Sequence, residues 1–204
     1  HAFDASKVDS IKVGTPEESI KFTTLDGAER DIDTDTLLIY NNNEPVAIAG
    51  IMGGLDSEIV ENTSSVVLES ANFDGVSVRK SSSKIGLRTD ASMRYEKILD
   101  PEITVDAIKR FVKLLEEIDE GAKVSSQLTD EYVNKYDEIE LSFNKAYVDR
   151  YTGIDIPDSQ ILATLKNLGF EVSLTGDVFD VKVPSWRATK DVTIKADIIE
   201  EITR

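Results

Sequence analysis

The polar stretch from about Ser125 to Asp137 divides the chain into two parts, each with its own pattern of apolar residues. A segment with so few apolar side chains cannot build a packed core, so it is typical of a linker. The chain has 204 residues, which is enough for two ordinary domains with separate cores. The sequence therefore predicts a first domain over residues 1–125, a linker over 126–136 and a second domain over 137–204.

The first part carries strand and turn signals before it becomes helical. Asp26-Gly27 and the asparagine-rich residues 41–45 predict turns. Apolar runs predict strands at 20–23, 37–40, 46–49 and 66–68. A short helix is expected over 73–82. The most regular element is an amphipathic helix over 101–118, whose apolar face holds Ile108, Phe111, Val112 and Leu115.

The second part is smaller and mixes helices with a hairpin. Strands are predicted at 139–143, 170–172 and 178–183, and helices at 144–151, 158–168 and 197–204. The predicted fold class is α+β, with a mixed α/β domain followed by a small winged-helix-like domain of the DNA-binding type. The last helix has no stop signal and the chain has no initiator Met, so we expect a piece of a longer protein.

Composition excludes several classes of function. The formal net charge is −16, and basic residues cluster only locally, as in Arg79-Lys80 and Lys84. General binding of DNA or RNA needs a basic face and is not expected, but a site for one end of an RNA held elsewhere is compatible with this charge. No cysteine is present, which suits a reducing cytoplasm. No apolar run reaches the roughly 20 residues of a membrane helix, so no membrane association is expected.

Residues 85–101 follow neither a helical stripe nor a strand alternation. Charged residues alternate there with small or hydroxyl residues; the charged set is Arg88, Asp90, Arg94, Glu96 and Asp100. A polar segment between two apolar elements is where a scaffold displays functional groups. The same composition is compatible with a solvated loop that carries incidental ion pairs.

Five motifs follow one another along the chain. They are His1-Ala2-Phe3-Asp4, the glycine-rich Ala49–Gly54, Leu68-Glu69-Ser70-Ala71-x-Phe73, Gly86–Glu96 closed by Asp100-Pro101, and Pro184-Ser185-Trp186-Arg187 with Asp197–Glu201. In this order they resemble motifs of the bacterial phenylalanyl-tRNA synthetase β subunit, over the whole chain. The resemblance implies an editing domain followed by the small helix-and-hairpin module of that subunit.

For the whole enzyme, the resemblance implies ligation of phenylalanine to tRNA(Phe) with ATP and Mg²⁺. It also implies an α2β2 complex in which the α subunit holds the synthetic site. This chain has no ATP-binding motif, so ATP is expected only as a substrate of the whole enzyme. For this chain, the resemblance implies hydrolysis of tyrosine wrongly attached to tRNA(Phe). A non-catalytic module that docks tRNA and scaffolds the subunits, and a free-standing hydrolase, remain as alternatives.

Glu69 directly follows a predicted buried strand, where mixed α/β folds place functional groups. By resemblance it lies in the editing pocket. Phenylalanine and tyrosine differ by one hydroxyl, which an apolar synthetic pocket rejects poorly, so a second pocket has to recognise that hydroxyl. A fixed carboxylate that accepts the phenol proton does this. The alternative is a carboxylate bonded to local backbone or to Arg94.

The remaining pocket residues are assigned by the same resemblance. Ala49, Gly53 and Ala91 line the space for the tyrosine ring, and Thr89 positions a water or the ester. Simpler interpretations are a tight turn at the glycines and a threonine hydroxyl bonded to its own backbone. His1 is expected near the pocket as a native residue rather than a tag remnant. With no Cys and one His, no nucleophilic triad can form, so ester hydrolysis would use an oriented water, helped by the terminal hydroxyl of the RNA.

An acidic group near the end of the chain is the last candidate site; it consists of Asp191, Asp197, Glu200 and Glu201. Three or four carboxylates suit Mg²⁺. By resemblance these positions match a magnesium site that the β subunit shares with the α subunit. Two extra residues between Trp186 and Asp197 depart from the family pattern, which affects the assignment of Asp191. The alternative is a solvated acidic helix face.

Overall fold

The computed structural model describes residues 1–204 as two compact units, His1–Ser125 and Ser126–Arg204, each with its own hydrophobic core. Small antiparallel sheets and seven α-helices make up the chain, which confirms the predicted α+β class. None of these helices combines the length and the apolar character that crossing a membrane requires.

The first unit contains eight short strands. They are β1 (Ala2–Asp4), β2 (Lys12–Gly14), β3 (Ile20–Thr23), β4 (Glu29–Ile32), β5 (Leu38–Asn41), β6 (Glu44–Ile48), β7 (Met52–Gly53) and β8 (Val66–Leu68). Strands β2, β5, β6 and β7 form one sheet in that order, while β1 pairs with β8 and β3 with β4. The β1–β8 register sets Ala2 against Leu68, and it therefore places His1 beside Glu69.

One hairpin differs from the sequence prediction. The turn at Asp26-Gly27 joins β3 to β4, whereas the sequence predicted that it leads to residues 37–40. Strand β4 reads Glu-Arg-Asp-Ile, and only Ile32 of it is buried. Such a strand has no apolar run, so periodicity alone does not reveal it.

Three helices complete the first unit: α1 (Gly75–Ile85), α2 (Asp90–Tyr95) and α3 (Ile103–Ile118). Asp74 caps α1, as its position predicted, by accepting a bond of 2.7 Å from the Ser77 backbone N–H. Helix α2 lies inside residues 85–101, where the sequence predicted neither helix nor strand. Its six residues are too few for a helical stripe, and the capping box of Thr89 and Ser92 is its signal.

The second unit is a three-stranded sheet with four helices. Its elements are β9 (Glu140–Asn144), α4 (Lys145–Thr152), α5 (Asp158–Asn167), β10 (Glu171–Thr175), β11 (Val178–Lys182), α6 (Ser185–Ala188) and α7 (Lys195–Thr203). The predicted hairpin is confirmed as β10–β11, and β9 pairs on the other side of β11. The core centres on Phe143 and Phe179, whose ring centroids are 5.4 Å apart. The winged-helix detail is not confirmed.

Asp4, at the end of β1, ties the loop that precedes β8 to the start of the chain. It accepts bonds from the Ser6 hydroxyl (2.6 Å), the Ser6 backbone N–H (2.8 Å) and the Thr63 hydroxyl (2.7 Å). These bonds, the Ser6 hydroxyl first, lower the pKa of Asp4 from 3.8 to about 2. Because the pKa of Asp4 is lower in the folded chain than in the unfolded chain, its carboxylate stabilises the fold at pH values above the unfolded pKa. This stabilisation is lost as the pH falls toward 2.

We expect Asp4→Asn to lower the Tm of the first unit by several degrees at pH 7. The difference from the wild-type chain will shrink as the pH falls from about 4 toward 2, because the native carboxylate is then protonated as well. Circular dichroism melts at a series of pH values measure this. Asp56→Asn is the control, since Asp56 is exposed. A pH-independent difference for Asp4→Asn contradicts the assignment.

Candidate functional site

Gly50 lies against an aromatic wall formed by Phe73 and Tyr95, whose ring centroids are 5.1 Å apart. The wall brings together the residues just before α1 and the end of α2. Gly50 has a φ of 67°, and a β-carbon there would lie 3.0 Å from Phe73, 3.1 Å from Val78 and 3.4 Å from Tyr95. Glycine is therefore required both for the backbone angle and for the close approach of the loop to the rings.

The Glu69 carboxylate lies beside this wall and accepts no hydrogen bond, and the positive charge of the His1 amino group acts on it. The residue is half-buried, and burial raises the pKa of its carboxyl. Burial, and then the charge of Glu69, raise the pKa of the Tyr95 hydroxyl, so the two groups are within electrostatic reach. The carboxylate makes neither of the predicted alternative contacts, since it has no bond to local backbone and no ion pair with Arg94.

His1 and Gly53 lie next to Glu69. The backbone nitrogen of His1 donates to the Glu69 carbonyl at 2.8 Å, and the Glu69 N–H donates to the His1 carbonyl at 2.7 Å. The His1 ring lies 4.5 Å from the Phe3 ring, between centroids. It also covers Gly53, where a β-carbon would lie 2.7 Å from His1 Nε2. The structure thus brings three of the predicted pocket residues together.

The two alanines are placed differently from each other. Ala49 is only 3% exposed and packs in the core, and its N–H donates to the Leu37 carbonyl at 3.0 Å. Its methyl group is therefore buried in the core rather than facing open space. Ala91 is half-buried in the first turn of α2. A pocket-lining role for both residues stays a prediction.

Thr89 uses its hydroxyl to fasten the glycine-rich loop. Its Oγ1 donates to the Ile51 carbonyl at 2.7 Å and accepts from the Ser92 N–H at 3.1 Å. The backbone bond expected as the simpler interpretation is present, and a second bond reaches a carbonyl 38 residues away. Because the hydroxyl proton is engaged, Thr89 holds the loop in place and has no proton to offer a water in this arrangement.

Sequence reasoning did not assign the aromatic wall. Phe73 and Tyr95 both stood inside the motifs, but nothing in their spacing indicated that their rings meet. A weak signal was present: each is the aromatic residue closest in sequence to a polar candidate, Phe73 to Glu69 and Tyr95 to Thr89. Their contact depends on the tertiary packing of α1 against α2.

The acidic residues of the second unit do not form a metal-ligand set within this chain. Arg187 takes up two of them: it pairs with Asp191 at 2.9 Å and with Glu201 at 2.7 Å. Asp197 accepts from the backbone N–H groups of Thr193 (2.8 Å) and Ile194 (3.0 Å), which lowers its pKa. The fourth residue, Glu200, is exposed. No group of three or more such side chains is placed to hold a metal ion.

Comparison with known proteins matches both units. The B3/4 domain family matches residues 1–120, and the tRNA synthetase B5 domain family matches residues 141–204. The chain is 39% identical over 206 residues to the phenylalanine–tRNA ligase β subunit of Clostridium tetani and 42% identical over 207 residues to that of Solibacter usitatus. Both matches cover the whole chain but only 26% and 27% of the relatives, so the chain spans about a quarter of their length.

A solved structure shares the fold. It is an N-terminal fragment of the phenylalanyl-tRNA synthetase β subunit from Pyrococcus horikoshii, with a TM-score of 0.52 and 14% identity. The match covers all of this chain and 58% of that one, and at this identity it bears on the fold alone. The two domain matches and the curated relatives support one assignment. The chain belongs to the phenylalanine–tRNA ligase β-subunit family, of which it carries the B3/4 and B5 domains.

Proposed function

We propose that the first unit is an editing site that hydrolyses tyrosine from mischarged tRNA(Phe), within a phenylalanine–tRNA ligase. One observation carries this proposal: a half-buried carboxylate with no hydrogen-bond partner, Glu69, lies beside an aromatic wall at a glycine loop. A tyrosine ring suits such a wall, and its hydroxyl supplies the donor that the carboxylate lacks.

Discrimination follows from the burial of Glu69. Tyrosine donates its phenol proton to the carboxylate in a hydrogen bond, whereas bound phenylalanine would leave that carboxylate desolvated and without a hydrogen bond. A hydrogen bond to a charged group is worth about 1.5–3 kcal/mol, which corresponds to roughly 10- to 150-fold between the two amino acids. The pocket is thus built to recognise the group that a synthetic site cannot reject.

The hydrolytic water has to be oriented by groups with free polar atoms. Thr89 fixes the loop instead, because its hydroxyl proton already bonds the Ile51 carbonyl. The ring of His1 lies over Gly53, and its Nε2 is the side-chain nitrogen there. We therefore assign water binding to the His1 side chain. The terminal ribose hydroxyl of the RNA would supply the second contact.

In the whole protein, the proposal includes an α subunit, tRNA(Phe) as partner, ATP as substrate of the synthetic site, and the cytoplasm as the compartment. The four acidic residues in the second unit do not fit Mg²⁺ within this chain, because Arg187 and backbone N–H groups engage three of them. No step of the proposed hydrolysis therefore depends on a metal held by them.

The test is release of tyrosine from tyrosyl-tRNA(Phe) by the wild-type chain and by Glu69→Ala. We expect the rate of tyrosine release to be at least about tenfold lower in the variant. Both proteins should release phenylalanine only slowly from phenylalanyl-tRNA(Phe). Glu61→Ala is the matched control, because Glu61 is exposed, forms no ion pair and does not line the surface cleft between α1 and the end of α2. Both proteins are also assayed within the complete ligase, where an intact editing site prevents tyrosyl-tRNA from accumulating. Equal rates for wild type and Glu69→Ala in both settings favour the scaffold alternative.

A further inference from the structure

A surface cleft of about 610 Å³ lies between α1 and the end of α2. The cleft is open to solvent rather than enclosed. The side chains that line it are Val76, Arg79, Lys80, Ser83, Lys84 and Glu96. Three of these six are basic, in a chain whose net charge is −16, so the cleft is a local exception to the charge of the protein.

The cleft carries positive charge that the protein does not neutralise. Arg79 and Lys80 are exposed and form no ion pair, whereas Lys84 pairs with Asp33. The one acidic side chain in the lining, Glu96, is paired with Arg88 at 2.8 Å. Two free cations and a hydroxyl, that of Ser83, therefore face the cleft. Arginine and lysine in such a setting are typical of phosphate recognition.

The cleft adjoins the Glu69 pocket through two consecutive residues. Tyr95 gives its ring to the aromatic wall, and Glu96 lines the cleft. The start of α1 packs on the same point, because a β-carbon at Gly75 would lie 2.9 Å from the Tyr95 carbonyl and 3.0 Å from that of Glu96. An extended ligand with one end in the pocket therefore meets the basic cleft next.

We propose that this cleft binds the phosphodiester backbone of the single-stranded 3′ end of an RNA whose terminal ester occupies the Glu69 pocket. The proposal rests on the proposed function and adds the surface that receives the substrate. Arg79 and Lys80 contact phosphates, and Ser83 donates its hydroxyl to a phosphate oxygen. The lining contains no aromatic side chain for base stacking, so binding is independent of sequence and falls steeply with salt.

The test uses this chain and a short fluorescent single-stranded RNA without an amino acid, followed by fluorescence anisotropy at several salt concentrations. We expect Arg79→Glu/Lys80→Glu to raise the Kd at low salt at least tenfold. We also expect the slope of log Kd against log salt concentration to fall by about 1.4, because each of the two lost phosphate contacts contributes about 0.7. Arg110→Glu/Lys113→Glu is the matched control, since it makes the same charge change on exposed, unpaired residues of α3. The control should bind RNA within about twofold of the wild-type chain.

Equal weakening in both double variants overturns the proposal, because net charge alone then explains the binding. So does wild-type binding too weak to detect at low salt. Because the RNA carries no ester, this experiment is independent of hydrolysis. Suppose that the cleft variant loses RNA binding but Glu69→Ala leaves tyrosine release unchanged. That result would support the RNA-binding role of the cleft and reject the editing role of Glu69.

Discussion

Replacing Gly50 with alanine will lower the free energy of unfolding of the first unit by about 2–4 kcal/mol. Two costs combine at this position. An L-residue with a φ of 67° loses about 1–2 kcal/mol relative to glycine. The new methyl group would also lie 3.0–3.4 Å from Phe73, Val78 and Tyr95, none of which can move without disturbing the aromatic wall.

Two other glycines separate these costs. Gly27 has a φ of 76° but nothing within 4 Å of its β-carbon position. Gly27→Ala should therefore lower the free energy of unfolding only through the strained backbone angle, by about 1–2 kcal/mol. Gly14 has neither the positive φ nor a close neighbour, and Gly14→Ala should change stability by less than about 0.5 kcal/mol. Far-UV circular dichroism during urea unfolding measures the series. A Gly50→Ala effect no larger than that of Gly27→Ala would show that the loop does not press on the rings.

Arg187→Met will destabilise the second unit by about 2–4 kcal/mol. The Arg187 guanidinium bonds Glu201 and Asp191 and lies 5.8 Å from the centre of the Phe170 ring. Glu201 and then Asp191 raise the pKa of Arg187, so its charge is held firmly. Removing it leaves the Glu201 carboxylate, whose side chain is only 10% exposed, without its cation. An uncompensated buried charge costs more than the pair contributes.

Trp186 gives this prediction a local readout. It is the only tryptophan of the chain and adjoins Arg187, so its fluorescence reports unfolding of the second unit. Arg150→Met is the control, because Arg150 is exposed on α4 and forms no ion pair. Arg187→Met/Glu201→Leu should recover part of the stability, since no buried unpaired charge remains and Asp191 is exposed. An Arg187→Met curve that overlays the control would mean that the bridge adds nothing to the fold.

Local chemistry made some elements predictable and left others hidden. Asp74 and Asn144 predicted the starts of α1 and α4, because a side chain that caps a helix bonds a backbone N–H within three residues. Strand β4 stayed hidden because it is polar and depends on β3 for its hydrogen bonds. Helix α2 stayed hidden because it is shorter than two turns. In each case the missing information was long-range or too brief to form a pattern.

The same division holds for the candidate site. Glu69 was predictable from its position after a strand and from a motif, but its burial without a hydrogen bond is visible only in the packed structure. The resemblance predicted a magnesium set around Asp191 and Glu201, and it gave no sign that Arg187 joins them. Motifs identify which residues matter, whereas partners across the fold decide which of their atoms remain available.

The pairing of β1 with β8 closes a loop of more than sixty residues with three pairs of strand residues and a few flanking hydrogen bonds. Closing a loop of that length costs about 4 kcal/mol of chain entropy before any contact offsets it. His1 and Glu69 meet only once this loop has closed, so their juxtaposition depends on one long-range contact rather than on local structure. Conditions that slightly weaken the contact between β1 and β8 will therefore abolish activity at the Glu69 site while most secondary structure persists. Activity is then a more sensitive measure of an intact site than circular dichroism.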